Sequence, residues 1–362
     1  MQVDKKITLV IPSFTSGGAE RVISQIAIYF AQQPNIEVTL VCLIKGPLFY
    51  QLPSQVKIVA PDFEHRQYNR AVFTYKIFRF LRNYLTSHRP DTVLSFGGKY
   101  NSFVLMAAMG SGIPIFVSDR SRPTISYGRF LDWLNPIIYR RAAGIIAQTS
   151  IAKEVASNKT NHRNIAVIGN PIRTITAPIS SRENIILNVG RFIKSKHQVK
   201  LVEYFARIRP NGWQLVFLGE GQYLQETKQR AIDLGIDAQV IFAGTTTQVD
   251  DYYRRAKIFA FTSTSEGFPN ALGEALSAGL ACISYNCVAG PSDLIADGFN
   301  GFLVPELVDD LYIQQLKTLI ENEALQHKFS KNALINIQRY RANEICEAYL
   351  KFILQTTNEV TH

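Results

Sequence analysis

The chain has 362 residues, enough for two domains of ordinary size, and its hydrophobic fraction of 46% excludes an intrinsically disordered chain. Its formal net charge of +10 indicates an anionic partner, which composition leaves open between nucleic acid, an acidic membrane surface and a phosphate-bearing substrate. The four cysteines are too scattered for a zinc site, so we expect reduced, mostly buried thiols of a cytosolic protein: Cys42, Cys282, Cys287 and Cys346.

The first half of the chain alternates strand and helix patterns. Its first apolar run is too short for a signal peptide and is interpreted as a strand. After it, Val22, Ile23, Ile26, Ala27 and Phe30 form one helical stripe. Most of the strand-type runs are continuously apolar, as in parallel strands that are buried on both faces. The predicted strands are residues 7–12, 38–44, 92–96, 114–119, 144–150 and 165–170.

One uncharged window, residues 100–118, resembles a membrane span in composition. Gly110, Gly112 and Pro114 interrupt its second half. The window therefore predicts a buried helix, a turn and a buried strand instead of a membrane-spanning helix.

The second half repeats the strand–helix alternation, which predicts two doubly wound α/β domains. Residues 169–185 hold two prolines and several small polar residues, and we place the domain boundary there. Residues 309–358 have no strand pattern and are predicted to form two or three helices. The predicted strands of this half are residues 184–191, 213–219, 239–244, 258–263, 281–286 and 301–305.

Candidate ligand groups follow several of these strands, at the sheet edge where open α/β sheets bind ligands. Gly17 and Gly18 precede a helix whose N-terminus favours an anion, although a tight turn without a ligand is the alternative. Arg191 and Lys196 follow the first strand of the second half and have the chemistry to hold a diphosphate, the alternative being solvated surface charge. Gly244 ends a later strand of the same sheet.

The segment 265–279, SEGFPNALGEALSAG, is predicted to run from a turn into a helix that begins near Asn270. The free backbone N–H groups of such a helix start are suited to phosphate oxygens. Glu266 precedes the helix and Glu274 lies one turn into it, and carboxylates accept paired hydrogen bonds from sugar hydroxyls. The alternative is structural: Glu266 caps the helix, and Glu274 makes an ion pair on the helix surface.

These motifs together resemble glycosyltransferase family 4, the retaining nucleotide-sugar enzymes of GT-B fold, over nearly the whole chain. The resemblance rests on SGGAER, GNP, GRFIKSKH, LGEG, FAG, EGFPNALGEALSAG and GPSDLIADGFNGFLV. It implies an α/β fold of two Rossmann-like doubly wound domains that face each other across a cleft. Residues 1–170 would bind the acceptor and residues 171–341 the nucleotide-sugar, with a C-terminal helix at about residues 342–362 packing back on the first domain.

The resemblance also implies roles for single residues. Glu274 corresponds to a ribose-binding glutamate and Glu266 to one that contacts the donor sugar. Arg191 and Lys196 correspond to the pair that clamps the diphosphate. The remaining donor contacts would come from Gly17 and Gly18 near the diphosphate, from the backbone around Gly244 and Thr245 near the base, and from Phe268, Asn270, Ala271 and Leu272 along sugar and phosphate.

The chain departs from the family after the predicted strand 114–119. Many members carry a histidine there that contacts the donor sugar, whereas this chain has VSDRSRP. Asp119 is therefore a candidate catalytic residue, and Arg120 a candidate donor-binding residue.

The chemistry implied is departure of a nucleoside diphosphate, with Arg191, Lys196 and a helix N-terminus stabilising the developing charge. The chain has no D-x-D sequence, so we expect neither a metal nor another cofactor. Retention through a covalent carboxylate intermediate and front-face displacement are both open from the residues. The resemblance implies the second route, in which the donor phosphate accepts the proton of the acceptor.

Basic and apolar residues interleave along residues 65–90, which suits either an anionic membrane surface or an acceptor diphosphate. The alternative is an ordinary domain helix with a basic outer face. The residues expected to bind acceptor or membrane are Arg66, Arg70, Lys76 and Arg79.

By resemblance, the predicted activity is transfer of a hexose or N-acetylhexosamine from a UDP-sugar to a free or lipid-linked saccharide, above all one on polyprenyl diphosphate, in bacterial glycan synthesis. The expected location is the cytoplasm, with peripheral association with the inner membrane. Alternatives are a GDP-mannose-dependent mannosyltransferase and a Rossmann-type nucleotide-binding protein without transferase activity. Neither half has the G-x-G-x-x-G of a dehydrogenase, and only the charge favours nucleic-acid binding, so no nucleic-acid partner is expected.

Overall fold

The computed structural model describes residues 5–15, 17–176 and 181–355. These residues form two units, one made of the chain up to Pro171 together with the stretch from Ala342 onward, and the other of Ile172–Arg341. Each unit is a parallel sheet covered by helices, which is the predicted α/β class. The separate acceptor and donor functions of the two units stay a prediction.

The first unit is built on a seven-stranded sheet in the order β3-β2-β1-β4-β5-β6-β7, with every neighbouring pair parallel. Leu9 of the central strand lies between Leu40 and Leu94, and all three side chains are fully buried. Continuous apolar runs form these strands because helices cover both faces. The strands are β1 (Lys5–Ile11), β2 (Ile36–Cys42), β3 (Val56–Val59), β4 (Thr92–Phe96), β5 (Ile115–Ser118), β6 (Gly144–Ala147) and β7 (Ile165–Val167).

The helices of this unit are α1 (Gly18–Ala31), α2 (Arg70–His88), α3 (Gly98–Ala107), α4 (Arg129–Tyr139) and α5 (Ser150–Thr160). Helices α2 to α5 form one layer, in which each packs on the next, and α1 packs against the C-terminal helix Ala342–Gln355. The predicted stripe of α1 is buried, as expected. The uncharged window forms α3, a turn and β5, which confirms its assignment as buried helix and strand.

Strand β3 was not predicted. It has four residues at the edge of the sheet, and only Val56 is buried. A short, half-exposed edge strand shows neither a continuous apolar run nor a regular alternation over enough residues to be recognised.

The second unit has a six-stranded parallel sheet in the order β10-β9-β8-β11-β12-β13. Its strands are β8 (Glu183–Val189), β9 (Gln214–Leu218), β10 (Val240–Gly244), β11 (Ala256–Phe261), β12 (Ala281–Tyr285) and β13 (Gly301–Val304). Its helices are α6 (Gln198–Ile208), α7 (Leu224–Asp233), α8 (Val249–Arg255), α9 (Asn270–Ser277), α10 (Pro291–Leu294), α11 (Asp309–Glu321) and α12 (Glu323–Asn336), and the C-terminal helix of the first unit is α13 (Ala342–Gln355).

The direction of winding reverses in each sheet at its central pair of strands, β1 and β4 in the first and β8 and β11 in the second. Loops that leave neighbouring strands on opposite sides open a crevice at the carboxyl edge, where α/β proteins bind ligands. Arg191 and Lys196 follow β8 and Glu266 follows β11, the central pair of the second sheet, whereas Gly244 and Thr245 lie at the end of β10.

The cysteines are buried and form no disulfide within the described chain. Burial raises the pKa of the Cys42 thiol to about 11 and that of Cys287 to about 12, so both stay protonated at neutral pH. No helix in the described ranges combines the length and apolar character needed to cross a bilayer.

Candidate active site

Glycines end three neighbouring strands of the second sheet and bring their backbones close together. Gly190 N donates to Leu218 O at 2.9 Å, and Gly219 N donates to Gly244 O at 2.8 Å. A Cβ at Gly219, whose φ is 130°, would lie 2.1 Å from the carbonyl oxygen of Gly190. A side chain is therefore excluded at Gly219, and the three glycines, each partly exposed, present bare backbone at this part of the carboxyl edge.

Lys196 and Glu266 meet at the central strand pair of this sheet. Lys196 ends a short 3-10 turn after β8, its ammonium pairs with the Glu266 carboxylate, and it lies 4.9 Å from the ring centroid of Phe261. The two loops are joined by Thr264 N, which donates to Ser195 O at 2.8 Å. The structure thus places the basic motif and the first acid of the glutamate motif beside each other, 70 residues apart in sequence.

Arg191 directly follows Gly190, two residues after the end of β8, and is exposed. Its backbone carbonyl accepts from Gln198 Nε2 at 3.0 Å, which fixes the main chain. Within the described part of the chain, its guanidinium makes no hydrogen bond or ion pair, so its donors are available to an anion.

Helix α9 begins at Asn270, as predicted, and its N-cap residue is Pro269. Pro269 makes no side-chain capping bond, and Glu266, which the alternative makes the cap, lies four residues before the helix and pairs with Lys196. The first intrahelical bond runs from Gly273 N to Pro269 O at 3.1 Å, which leaves the amides of Ala271 and Leu272 without a helical acceptor. These amides are suited to a phosphate oxygen.

Small residues in and around α9 have a packing reason. A Cβ at Gly273 would lie 2.7 Å from Ile172 Cδ1, and a Cβ at Gly290 would lie 2.2 Å from Pro269 Cδ. The helix is therefore held close to its neighbours, and the turn before it is fixed by contact with Gly290. Phe268 and Leu272 are buried, whereas Asn270 and Ala271 are half-buried at the helix start.

Glu274 is buried, with 5% of its surface exposed, and contacts side chains that come from other segments of the second unit. Its carboxylate lies 3.2 Å from Arg173 Nε and accepts from the Tyr253 hydroxyl at 3.3 Å. Arg173 also pairs with Asp250 at 2.5 Å. The alternative of an ion pair on the helix surface is therefore wrong, because the partners come from outside α9 and the carboxylate is hidden from bulk water.

In the first unit, Gly17 and Gly18 form the start of α1, with Gly17 extended and Gly18 the first helical residue. The Tyr50 hydroxyl donates to Gly17 O at 2.9 Å and fixes this loop against the segment after β2. In the second unit, Gly244 ends β10 with a φ of 68°, and Thr245 after it is exposed. Contacts of these residues with the donor stay predictions.

Asp119 follows β5 and forms a closed hydrogen-bonded corner. It accepts from the Tyr127 hydroxyl at 2.7 Å and from Ser121 N at 3.1 Å, and a Cβ at Gly98 would lie 2.3 Å from its other oxygen. Burial raises the pKa of the Asp119 carboxyl, although the hydrogen bonds from Tyr127 and Ser121 act to lower it. A cavity of about 340 Å³ within this unit begins at Asp119 and Tyr127 and extends along α5.

Arg120 points into the first unit. Its guanidinium donates to the Tyr349 hydroxyl at 2.7 Å and to Asn170 Oδ1, and it lies 4.7 Å from the ring centroid of Phe96. These contacts fasten α13 to the end of β5. Arg120 thus has a structural task within its unit, and its predicted contact with the donor stays a prediction.

The basic segment 65–90 is not one helix. Arg66 lies on a 3-10 turn, Arg70 is the first residue of α2, and Arg79 is exposed in the middle of that helix. Lys76 covers the ring of Tyr68, with its ammonium 4.5 Å from the centroid. Arg82 donates to backbone carbonyls at the end of α3, so it has a structural function there.

Two family models match consecutive parts of this chain. Glycosyltransferase Family 4 matches residues 16–175, and Glycosyl transferases group 1 matches residues 175–335. The chain thus combines a Glycosyltransferase Family 4 domain with a Glycosyl transferases group 1 domain. It is an enzyme of the transferase class, and the candidate residues from Gly190 to Glu274 lie within the group 1 match.

Curated relatives extend over almost the full length of this glycosyltransferase. The amylovoran biosynthesis glycosyltransferase AmsD of Erwinia amylovora is 25% identical over 346 residues, covering 93% of this chain and 95% of that protein. An enzyme of Campylobacter jejuni, named GalNAc-alpha-(1->4)-GalNAc-alpha-(1->3)-diNAcBac-PP-undecaprenol alpha-1,4-N-acetyl-D-galactosaminyltransferase, is 26% identical over 370 residues, covering 98% and 99%.

Solved structures show that this glycosyltransferase has the GT-B fold. The apo form of the lipopolysaccharide outer core galactosyltransferase WaaB matches with a TM-score of 0.79 at 23% identity, covering 97% of this chain and 99% of that one. HepE of Anabaena in complex with UDP-glucose matches with a TM-score of 0.77 at 17% identity, covering 96% and 98%. Staphylococcus aureus TarM, in a complex that contains UDP, matches with a TM-score of 0.79 at 14% identity, covering 97% and 100%.

Arg173, Asp250 and Tyr253 are residues of this glycosyltransferase that sequence reasoning did not find. Burial lowers the pKa of Arg173, but the carboxylates of Glu274 and Asp250 more than offset this, and the pKa is raised overall. Arg173 therefore stays charged and orients one side of the Glu274 carboxylate. The sequence signal for Arg173 is its position as a basic residue at the predicted domain boundary. This signal does not identify Glu274 as its partner.

Replacing Arg173 by alanine should weaken binding of the nucleotide about tenfold, with a smaller effect on kcat, because Glu274 loses the contact that orients it. Arg173→Lys should restore part of the affinity. Calorimetric titration with UDP and separate determination of donor KM and kcat measure this. Arg255→Ala, which removes an exposed ion pair with Glu183, is the matched control. An unchanged donor KM in Arg173→Ala would show that Glu274 needs no orientation by this residue.

Within residues 5–15, 17–176 and 181–355, no group of three or more His, Cys, Asp and Glu side chains is arranged to hold a metal ion.

Proposed function

We propose that this glycosyltransferase transfers a hexose or N-acetylhexosamine from a UDP-sugar, with retention, to a saccharide on a polyprenyl diphosphate carrier in the assembly of a bacterial glycan. The observation that carries the proposal is the Lys196–Glu266 pair beside the uncapped start of α9. The Campylobacter relative, whose name includes a diphospho-undecaprenol acceptor, and the UDP complexes of HepE and TarM support the choice of acceptor and nucleotide.

The donor diphosphate would lie on the first turn of α9, where Ala271 and Leu272 present backbone N–H groups. Lys196 pairs with Glu266, and both side chains are largely buried, with 18% and 11% exposed. A phosphate at this place competes for the ammonium. Lys196 then balances the charge on the leaving group, together with Arg191, and the Glu266 carboxylate is released to accept hydrogen bonds from the sugar.

Retention would follow from front-face displacement. As the glycosidic bond breaks, the phosphate oxygen gains charge, and it accepts the proton of the acceptor hydroxyl that attacks from the same face. Cations beside the phosphate make this route favourable because they stabilise the leaving group before the new bond is complete. In this scheme Glu266 holds the donor sugar and forms no bond to it. We also propose that turnover needs no divalent ion, because Arg191 and Lys196 supply positive charge to the diphosphate.

The test is a panel of UDP- and GDP-sugars offered with a polyprenyl-diphosphate-linked saccharide, with release of the nucleotide as the readout. We expect turnover with one UDP-hexose or UDP-N-acetylhexosamine, and the same rate in the presence of EDTA. Turnover with GDP-mannose alone would replace the proposed donor. Loss of turnover in EDTA would contradict the metal-independent scheme, and nucleotide binding without transfer to any acceptor would refute the proposed reaction.

The acceptor diphosphate is assigned to α2 of the first unit, where Arg70 and Arg79 are exposed. Changing both to alanine should raise the acceptor KM about tenfold and leave the donor KM unchanged, because whichever of the two arginines contacts the diphosphate is removed while the donor site keeps its own cations. Initial rates with each substrate varied in turn measure this. The charge-matched control is Arg207→Ala with Lys317→Ala, two exposed cations of the second unit. An equal rise in both KM values would contradict the assignment.

A further inference from the structure

Helix α4 presents its largest apolar side chains to solvent. Phe130 is 67% exposed, Trp133 62% and Ile137 44%, and the rings of Phe130 and Trp133 are neighbours with centroids 6.3 Å apart. Their spacing of three and four positions places them on one stripe of the helix. Only Ile138 and Tyr139 of this helix are buried. Contiguous exposed side chains of this size mark a surface that a partner covers.

The same stripe continues into a basic end. Arg140 and Arg141 follow Ile137 by three and four positions, and together with Arg163 they line a depression of about 980 Å³. Arg140 donates through Nε to Thr160 O at 3.0 Å. No acidic residue is among those that line the depression. Three guanidinium groups therefore stand together without a countercharge among its lining residues.

We infer that this surface binds an anionic phospholipid bilayer. We call it the α4 face and define it by Phe130, Trp133, Ile137, Arg140, Arg141 and Arg163. The aromatic and aliphatic side chains would enter the boundary between headgroups and acyl chains, and the arginines would contact lipid phosphates. Tryptophan favours this boundary because its ring is apolar and its N–H is polar. The inference deepens the proposed function, since a polyprenyl-linked acceptor is presented at such a surface.

The charges favour lipid over a second copy of the chain. A two-fold contact through the α4 face would bring six arginines into one interface, with no acidic residue among those that line the depression, which is electrostatically unfavourable. Asp132, the acidic residue of α4, is occupied by hydrogen bonds from Ser126 Oγ at 2.5 Å and Tyr127 N at 2.8 Å.

Helix α2, in the same helical layer, has an exposed side of similar composition. It exposes Val72 and Tyr75 together with the basic Arg79, so apolar and basic side chains occur there as they do on α4. Two helices of this layer thus expose the composition that interfacial helices have.

Trp133 makes the inference directly measurable. The chain has two tryptophans, and the other, Trp213, is only 7% exposed. Vesicles of phosphatidylcholine with roughly 30% phosphatidylglycerol should shift the Trp133 emission to shorter wavelength, and brominated lipids should quench it. Trp133→Phe should abolish both changes while vesicle pelleting persists. An unchanged emission spectrum at lipid concentrations that saturate pelleting would refute the α4 face.

Replacing Phe130, Trp133 and Ile137 by serine should lower vesicle partitioning at least about tenfold. Replacing Arg140, Arg141 and Arg163 by serine should remove the preference for anionic over neutral vesicles and its weakening by salt. The control is Ile232→Ser with Ile335→Ser, two exposed apolar residues of the second unit. Partitioning that survives the triple apolar substitution would refute the inference. If the triple apolar variant loses its thermal unfolding transition, the inference is tested instead by the quenching of Trp133 emission in the wild type.

Failure here is distinguishable from failure of the proposed function. Vesicle binding is measured without donor or acceptor, so binding without any sugar transfer refutes the proposed reaction alone. Transfer to an acceptor without vesicle binding refutes the α4 face alone. Sedimentation that shows a dimer dissociated by the triple apolar substitution, with no vesicle binding by the wild type, would assign the surface to self-association and overturn the inference.

Discussion

Lys196→Ala and Glu266→Gln should each lower kcat by about 10²–10³-fold while the fold persists. The reason for Lys196 is electrostatic: its ammonium pairs with Glu266, four residues before α9, and would balance the charge that the diphosphate gains. Glu266→Gln keeps the shape of the side chain but removes the negative charge that holds the ammonium before the donor binds and the sugar hydroxyls afterwards. Initial rates of nucleotide release, with thermal unfolding as the check of fold, measure both effects.

The chain offers a matched control on the same 3-10 turn. Lys194 is exposed and two residues from Lys196, so Lys194→Ala removes the same charge without touching Glu266. Its kcat should stay close to that of the wild type. Near-normal kcat in Lys196→Ala or Glu266→Gln would place the reaction elsewhere in the molecule.

Glu274→Ala should weaken UDP binding by about 10²-fold, because a carboxylate that accepts two ribose hydroxyls makes charge-assisted bonds of about 1.5–3 kcal/mol each. The affinity is measured by calorimetric titration with UDP. Glu274→Gln should fall between alanine and the wild type, since the amide oxygen keeps one acceptor and the contact with Tyr253. Glu321→Ala, at an exposed ion pair of α11, is the control and should bind UDP as the wild type does.

A UDP analogue without the two ribose hydroxyls sharpens this test. The wild type should bind the analogue much more weakly than UDP, whereas Glu274→Ala should bind both about equally, because the partner of the hydroxyls is already gone. An equal loss of affinity in wild type and variant would show that Glu274 does not contact the ribose and serves only the network with Arg173 and Tyr253.

The buried strands were predictable because their runs are apolar without interruption, and the start of α9 was predictable because Pro269 and Gly267 end the preceding segment. Strand β3 was not, since Lys57 and Ile58 face solvent at the sheet edge. Helix α2 begins only at Arg70, because Asn69 accepts from Val72 N and caps it there. Local patterns thus determine element types well and element ends less well.

The candidate site was likewise predictable only in part. Lys196 approaches Glu266 because β8 and β11 pair in parallel, and the order of the motifs along the sequence already suggested that the two residues lie at the same sheet edge. Arg173 and Glu274 meet across 101 positions through the packing of Gly273 on Ile172, and no spacing rule gives that contact. Arg120 was predicted to contact the donor, which stays a prediction, and its contacts with Tyr349 and Phe96 could not be read from its position after a strand.

The central claim is that a nucleoside diphosphate binds at the start of α9 and that this chain's own cations balance it. A crystal structure of the complex with UDP tests this most directly. We predict the terminal phosphate within about 3 Å of Lys196 Nζ, the Arg191 guanidinium and the amides of Ala271 and Leu272, with the ribose hydroxyls on Glu274. A diphosphate bound away from α9, with Lys196 still paired to Glu266 and Glu274 not touching the ribose, would contradict the account.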